Sequence, residues 1–399
     1  MKLKLVVASM SALALISCPV FAADAVAVAP QHKNHAKMHH KAVAHNLKGE
    51  EAMPVSSSLA SGWFNKISLN GGINADTKIG NLYDTNGPSY TGENVKRMSL
   101  NNAFVNVNAD VNDWTKAFVG LSYQDASANY GAASAANLSL EQGYVTLANA
   151  SVTPAYLKIG KQFTNFGMYD AHALIQPMTT ALSESLQDAI TVGFDTGMTG
   201  INFYGSAYGL DDGSVQLGHS STSMNGGARL GIGQTNDQLG WNLSADYLNN
   251  LTGVNNIATR LNNVYETRVG GAAINADINS GGFKLGMRYV QALTSFAATD
   301  IASTNPANGA KPYAANITAG YGFNAMNVDQ NVSLAYDMTH DAVNLNLPLN
   351  RWTVGYDVAV LKNATVGAEF NHDKDYSQAN TGTGTTNNQF GVRVGVKFG

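Results

Sequence analysis

From about residue 63 to the C-terminus, apolar and polar residues alternate in short segments, which is the pattern of β-strands with two different faces. In the last segment, Val394, Val396 and Phe398 alternate with Gly395 and Lys397. A soluble sandwich would bury the apolar face, whereas a membrane barrel turns it toward lipid and lines a wet lumen with the polar face. The aromatic-rich apolar faces and the aromatic near the C-terminal end favour the membrane barrel.

Sixteen such segments can be counted, and short and long connections alternate between them. We therefore predict an all-β fold, a transmembrane antiparallel β-barrel of 16 strands. An even number places both chain ends on the periplasmic side, and 16 strands leave an aqueous channel. The predicted strands span 66–76, 98–110, 114–124, 138–148, 155–163, 190–195, 201–209, 226–235, 239–248, 265–277, 283–292, 312–323, 328–339, 350–361, 364–374 and 388–398.

The first residues have the features of an export signal. Lys2 and Lys4 form a basic start, Leu5–Ile16 is apolar, and small residues precede a cleavage site after Ala22. The apolar run is shorter than the roughly 20 residues of a membrane helix. We expect the protein in the outer membrane of a Gram-negative bacterium. The predicted segments are a signal peptide at 1–22, a His-rich disordered periplasmic leader at 23–62 and a barrel at 63–399.

A second interpretation of the signal stays open. Leu15-Ile16-Ser17-Cys18 also resembles a lipobox, in which Cys18 would be lipidated and become the mature N-terminus. Cys18 is the single cysteine, so cleavage after Ala22 would leave none in the mature protein. A disulfide framework and a cysteine-based site are therefore excluded.

The leader mixes histidines with lysines and has two interpretations. It is either a basic tether without fixed structure or a segment that captures divalent metal ions. His35 and His39 would share one face of a helix, but the neighbouring lysines would repel a cation. The candidate metal ligands are His32, His35, His39, His40 and His45.

Charge in the predicted barrel is acidic overall. The chain has 24 Lys plus Arg and 28 Asp plus Glu. Six of the basic and three of the acidic residues precede residue 63, so the barrel has 18 basic and 25 acidic residues and a formal charge of −7. An acidic lumen would favour cations. The alternative is that this charge lies on solvated loops and selects nothing.

The connection 164–189 is long and partly apolar, with Met178, Leu182 and Leu186 at helical spacing. It follows the fifth strand, where sixteen-stranded porins fold a loop into the pore. We therefore predict a constriction with a transverse field, unless the loop packs on the rim and the arginines pair with wall carboxylates. The acidic candidates are Asp170, Glu184 and Asp188, and the basic candidates are Arg229, Arg268, Arg288, Arg351 and Arg393.

An enzyme is not predicted. Barrel hydrolases need a nucleophile, a base and an orienting acid within reach of one another, and no local Ser/His/Asp signature is present. No cofactor and no nucleic-acid partner are expected.

One stretch resembles a known family. Its motifs are Tyr156-Leu157-Lys158-Ile159-Gly160-Lys161-Gln162, Phe166-Gly167, Pro177-Met178-Thr179, Leu182-Ser183-Glu184, Val192-Gly193-Phe194 and Phe203-Tyr204-Gly205-Ser206-Ala207-Tyr208. Together they resemble the LbtU-type siderophore porins, over about 155–212. The resemblance implies passage of a ferric siderophore. Only about 40 residues lie between signal and barrel, so a plug of the TonB-dependent type is not expected.

Two functions of different classes follow. The first is a pore-forming transporter, a porin-like channel for a ferric siderophore or another small solute. The second is a surface structural protein or adhesin on a barrel scaffold. Expected partners are outer-membrane lipid, small solutes or an iron chelate, the barrel-assembly machinery through the C-terminal strand, and two further copies in a homotrimer.

Overall fold

The structure is a computed structural model. The predicted signal peptide, Cys18 and the five leader histidines lie outside the residues that it describes. It describes residues 53–54, 66–81, 94–124, 137–169, 175–197, 200–218, 224–235 and 239–399.

Sixteen long antiparallel strands form one closed barrel, which confirms the predicted fold and strand number. Each strand pairs with its neighbours in the chain, and the last strand pairs with the first. The strands are β1 (Lys66–Asn81), β2 (Asn94–Asp110), β3 (Thr115–Gln124), β4 (Asn137–Ala148), β5 (Ala155–Phe163), β6 (Leu186–Asp195), β7 (Ile201–Asp211), β8 (Asn225–Thr235), β9 (Leu239–Leu248), β10 (Gly271–Ser280), β11 (Phe283–Ala292), β12 (Tyr313–Ala325), β13 (Val328–His340), β14 (Asn350–Leu361), β15 (Ala364–Lys374) and β16 (Thr386–Phe398).

The period of two in the sequence becomes two faces of the wall. Ile190, Val192 and Phe194 of β6 point outward and are 53%, 57% and 39% exposed, whereas Thr191 between them is buried on the lumen side. In a bilayer such outward apolar side chains contact lipid. The closed ladder leaves no strand edge, so the backbone N–H and C=O groups find partners that lipid cannot supply.

Aromatic side chains lie near both ends of the outer face, where membrane barrels place their interfacial girdles. Tyr336 and Trp352 pack at one end with ring centroids 4.5 Å apart. Tyr321 and Phe323 stack at the other end, at 6.0 Å. The two groups mark the edges of the apolar band.

Tight turns close one end of the barrel. Met326 and Asn327 join β12 to β13 with φ of 57° and 60°, the conformation of a two-residue hairpin turn whose twist matches the strands. Longer connections join the strands at the other end, which is the extracellular side in barrels of this kind. We number them in chain order L1 (82–93), L2 (125–136), L3 (164–185), L4 (212–224), L5 (249–270), L6 (293–312), L7 (341–349) and L8 (375–385). L1, L2 and parts of L3 and L4 lie outside the described residues.

Several strand boundaries differ from the sequence prediction by a few residues, and two of these differences affect the loops. β6 begins at Leu186 rather than at residue 190, so L3 covers 164–185. The strand predicted at 265–277 begins at Gly271, because Val264–Tyr265 instead pairs in parallel with Val215–Gln216 of L4. Pairing between loops has replaced pairing in the wall at this position.

The extracellular half of the lumen contains a hydrophobic core. It joins inward-facing residues at the ends of β6, β7 and β9 to β12 to side chains of L3, L5 (249–270), L6 (293–312) and L7 (341–349). One short helix, α1 (Asn255–Leu261), packs into it from L5. The core includes Phe166, Leu182, Leu210, Leu248, Leu251, Val254, Ile257, Val290, Phe296 and Leu345.

L8 is tied to the neighbouring loop by a buried tyrosine. The Tyr376 hydroxyl is 2.7 Å from Thr339 Oγ1 and accepts from the Ala342 amide at 3.3 Å. Burial raises the pKa of Tyr376 to about 12, so the hydroxyl keeps its proton across the physiological range.

None of the helices in the described part of the chain has the length and apolar composition needed to span a membrane.

The seam between β16 and β1 contains a buried ion pair that yields a stability prediction. Arg393 and Asp76 are joined by two hydrogen bonds of 2.6 Å. Arg393→Ala leaves the Asp76 carboxylate buried without its partner, and we expect a loss of about 3–5 kcal/mol in the free energy of unfolding. Urea unfolding in micelles, followed by tryptophan fluorescence, measures this loss.

The control for this experiment is an ion pair on the surface. Lys116 and Asp110 are 3.8 Å apart with side chains 39% and 44% exposed. Lys116→Ala should therefore lower the free energy of unfolding by only about 0–1 kcal/mol. Equal unfolding midpoints for the two variants would contradict the structural role of the seam pair.

Candidate functional site

L3 enters the barrel at a glycine held by the wall. The Gly167 amide donates to Asp246 Oδ2 at 2.8 Å, and its carbonyl accepts from Arg229 Nη2 at 2.5 Å. Gly167 has a φ of +76°, and a Cβ there would lie 2.4 Å from the Cβ of Ser183. Only glycine fits this left-handed position, which turns the chain inward.

The far part of L3 reaches the opposite wall. The Ile175 amide donates to Glu369 Oε2 of β15, and the Met178 amide donates to Asp337 Oδ1 of β13, both at 2.8 Å. Asp337 Oδ1 also accepts from Asn316 Nδ2 at 2.9 Å. Because L3 leaves β5 and docks on β13 and β15, it crosses the lumen and narrows it.

The apolar stripe predicted in L3 holds this crossing in place. Met178–Leu182 forms a short 3-10 turn rather than an α-helix. Met178 and Leu182 are buried, and Leu182 joins the hydrophobic core of the loops. Leu186, the third residue of the stripe, already belongs to β6. One side of L3 is thus packed against the other loops and the other side borders the lumen.

Four of the five candidate arginines face the lumen, and each is paired with an aspartate on an adjacent strand. Arg268 is the exception and lies exposed in L5. Cross-strand pairs of opposite charge are favourable neighbours on one face of a sheet. The pairs, with their shortest N–O distances, are Arg229–Asp246 (2.6 Å), Arg288–Asp277 (2.7 Å), Arg351–Asp373 (2.6 Å) and Arg393–Asp76 (2.6 Å).

Of the candidate acids, the two that the structure describes, Glu184 and Asp188, do not face these arginines. Glu184 Oε1 accepts from Asn255 Nδ2 at 3.3 Å. Asp188 is exposed at an outward-facing position of β6, opposite Lys161 of β5. Asp170 lies outside the described residues. The acids that face the arginines belong to the wall, and the sequence analysis did not single them out.

A cleft remains between L3 and the part of the wall formed by β15, β16 and β1. It encloses about 410 Å³, part of it open to solvent. Its lining includes Asp76, Lys78, Ile175, Glu369, Gln389 and Gly391. Lys78, Glu369 and Gln389 were missed by the sequence analysis, although each lies at a lumen-facing position of its strand.

Charges of both signs line the lumen. Lys284 and Arg288 face inward from β11, and Asp337 and Asp357 face inward from β13 and β14. The lumen is therefore not uniformly acidic, in contrast to the formal charge of the barrel as a whole. Within the described ranges, no group of three or more His, Cys, Asp or Glu side chains could hold a metal ion.

Comparison with known sequences identifies distant relatives, and no family model matches the chain. The chain is 25% identical over 303 residues to a UPF0422 protein of Coxiella burnetii, which covers 75% of this chain and 64% of the relative. It is 24% identical over 297 residues to UPF0422 protein lpl2888 of Legionella pneumophila, 70% of this chain and 54% of the relative. The chain thus spans only part of the length of these relatives.

Solved structures share the barrel at low sequence identity. The anion-selective porin of Comamonas acidovorans superposes with a TM-score of 0.55 at 13% identity, covering 83% of this chain and 99% of that one. OprB of Pseudomonas putida gives 0.55 at 11% identity, covering 83% and 94%. The channel DcaP of Acinetobacter baumannii gives 0.51 at 13% identity, covering 84% and 97%. The fold is that of a porin-like barrel of the Gram-negative outer membrane.

The contact between Glu369 and L3 can be tested through one amide. Glu369→Ala removes the carboxylate that accepts from Ile175, and hydrogen bonds to charged groups contribute about 1.5–3 kcal/mol. We expect hydrogen exchange at the Ile175 amide to accelerate about tenfold or more. Asp329→Ala is the control, because Asp329 pairs with Asn324 at a turn far from L3. Unchanged exchange in Glu369→Ala would show that Glu369 does not hold the loop.

Proposed function

We propose that this protein is an outer-membrane pore for small solutes, with L3 setting the width of the passage. The docking of L3 across the lumen carries this proposal. A loop bound to Glu369 and Asp337 on the far wall divides the interior and leaves the cleft beside β15, β16 and β1 as the route past L3. A passage built from fixed charges and amides selects solutes by size and charge.

A channel accounts for the interior better than an adhesin does. An adhesin would require only its outer loops, and a scaffold of that kind gains nothing from buried charge pairs in the lumen. The likeness of the fold to porins and to a channel also supports transport. The constriction residues that we propose are L3 around Ile175 together with the wall charges Lys78, Glu369 and Arg393.

The transverse field proposed from the sequence takes a different form in this geometry. Arg229, Arg288, Arg351 and Arg393 are its basic groups, and their counter-charges lie on adjacent strands rather than on L3. Each pair forms a dipole whose field falls off over a short distance. Selection by such a wall acts on solutes that pass close to it.

Narrowing the cleft should reduce the current. Ile175→Trp places a larger side chain at the edge of the cleft, and we expect a lower single-channel conductance in planar bilayers. Met326→Trp, at a turn position that is 93% exposed, is the control and should conduct like the unchanged protein. A protein that forms no channel would overturn the proposed function, and equal conductance of both variants would overturn the placement of the constriction.

We further propose a ferric siderophore as the solute. The motifs that resemble the LbtU-type siderophore porins lie at 155–212, which contains β5, L3, β6 and β7. The stretch that resembles the family therefore supplies L3, one side of the proposed constriction, whereas Lys78, Glu369 and Arg393 on the other side lie outside it. This coincidence supports the chelate over solutes in general.

Titration with a ferric siderophore tests the choice of solute. Adding it to the loop side of a conducting channel should block the current in a concentration-dependent way, and the iron-free siderophore should block less. Steady current without any block would leave a pore for other small solutes and remove the chelate proposal.

A further inference from the structure

The charged groups around the cleft are engaged, with one exception. Asp76 is occupied by both hydrogen bonds from Arg393. Glu369 accepts from the Ile175 amide through Oε2 and from Asn371 Nδ2 through Oε1, each at 2.8 Å. Lys78 lies next to them in the lining and, within the part of the chain that the structure describes, makes no hydrogen bond and no ion pair.

The wall leaves room on one side of Lys78. Its Cα partner on β16 is Gly391, where a Cβ would meet no atom closer than Thr77 O at 3.8 Å. Gln389 follows along β16 and lines the same cleft. On the other side, the Cα partner of Lys78 is Arg97. The Lys78 side chain thus borders a gap at position 391, with its Cγ 3.9 Å from where a Cβ would lie.

Local charge decides what such a gap accepts. Charges in water are largely screened beyond about 8 Å at physiological ionic strength, so acidic loop residues contribute little inside the lumen. Paired arginines and carboxylates cancel at a distance. Glu369 keeps its negative charge in the same lining, but both of its oxygens already accept hydrogen bonds, from Ile175 and from Asn371. Among the described residues of the lining, the Lys78 ammonium, with three donors and no acceptor, is therefore the charged group with donors left for a solute.

We infer that Lys78 is the anion-recognition group of the pore, and that the pore favours small solutes carrying a carboxylate or phosphate group. This inference rests on the proposed function, since it names the solute class of the same passage. It opposes the cation preference expected from the formal charge of −7. The acidic balance of the whole chain does not govern the ion at the narrowest point.

Ion selectivity in a potassium chloride gradient tests the inference. We expect the unchanged protein to pass chloride in preference to potassium. Lys78→Gln should lower the chloride-to-potassium permeability ratio by about fivefold, the factor that one unit charge at about 4 Å gives in water. Gly391→Asp should lower the ratio as well, because it places a carboxylate beside the ammonium where the structure leaves room.

Lys96→Gln is the matched control. It removes the same charge from an exposed position one strand away, and its permeability ratio should stay at the original value. Inorganic phosphate added on the loop side should reduce the current of the unchanged protein more than that of Lys78→Gln. Heat-modifiable mobility on gels reports whether each variant has folded.

The outcomes separate the two proposals. If the protein conducts but neither Lys78→Gln nor Gly391→Asp changes the permeability ratio, the role of Lys78 is overturned. The proposal of a pore is then unaffected. A preference for potassium in the unchanged protein has the same two consequences. Absence of conductance from folded protein overturns the pore and the inference together.

Discussion

The structure depends on one constraint: every backbone donor and acceptor inside a bilayer needs a partner in the protein. The β16–β1 pairing meets that constraint by removing the two free edges that an open sheet would have. Asp76 and Arg393 lie on this seam and bind each other on its lumen side, which leaves the outer side to apolar residues such as Val394. Closure in turn creates the enclosed space that L3 crosses. An open sheet would have no enclosed space for L3 to cross.

The strand pattern could be predicted because lipid on one side and water on the other impose a period of two on every strand. β5 and β11 follow their predicted ranges for that reason. The pattern failed at 265–277, where L5 and L4 pair with each other and the apolar residues Tyr265 and Val269 enter the loop core. Alternation of apolar and polar residues indicates a strand with two different environments on its two faces. It does not distinguish a wall strand from a loop segment that packs inside the barrel.

The site was only partly predictable. Arg229, Arg351 and Arg393 could be placed in the lumen, since an inward position follows from strand parity alone. Their partners could not, because pairing requires the register between strands, and Arg393 and Asp76 are 317 residues apart. The docking of L3 could not be predicted from residue types either, since its donors to the wall are backbone amides. Nearly every residue has such an amide, so the sequence does not indicate which ones bind the wall.

The hydrophobic core shared by L3, L5, L6 and L7 affects how antibodies would recognise the outer surface of the barrel. Outer loops of a barrel usually tolerate sequence change because each stands alone in water. Here Ile257, Phe296 and Leu345 come from three different loops and are buried together. A change in one loop disturbs the packing of the others, so antigenic drift is limited to their solvent-facing positions. Antibodies raised against the folded surface would recognise a joint epitope that no single loop peptide reproduces.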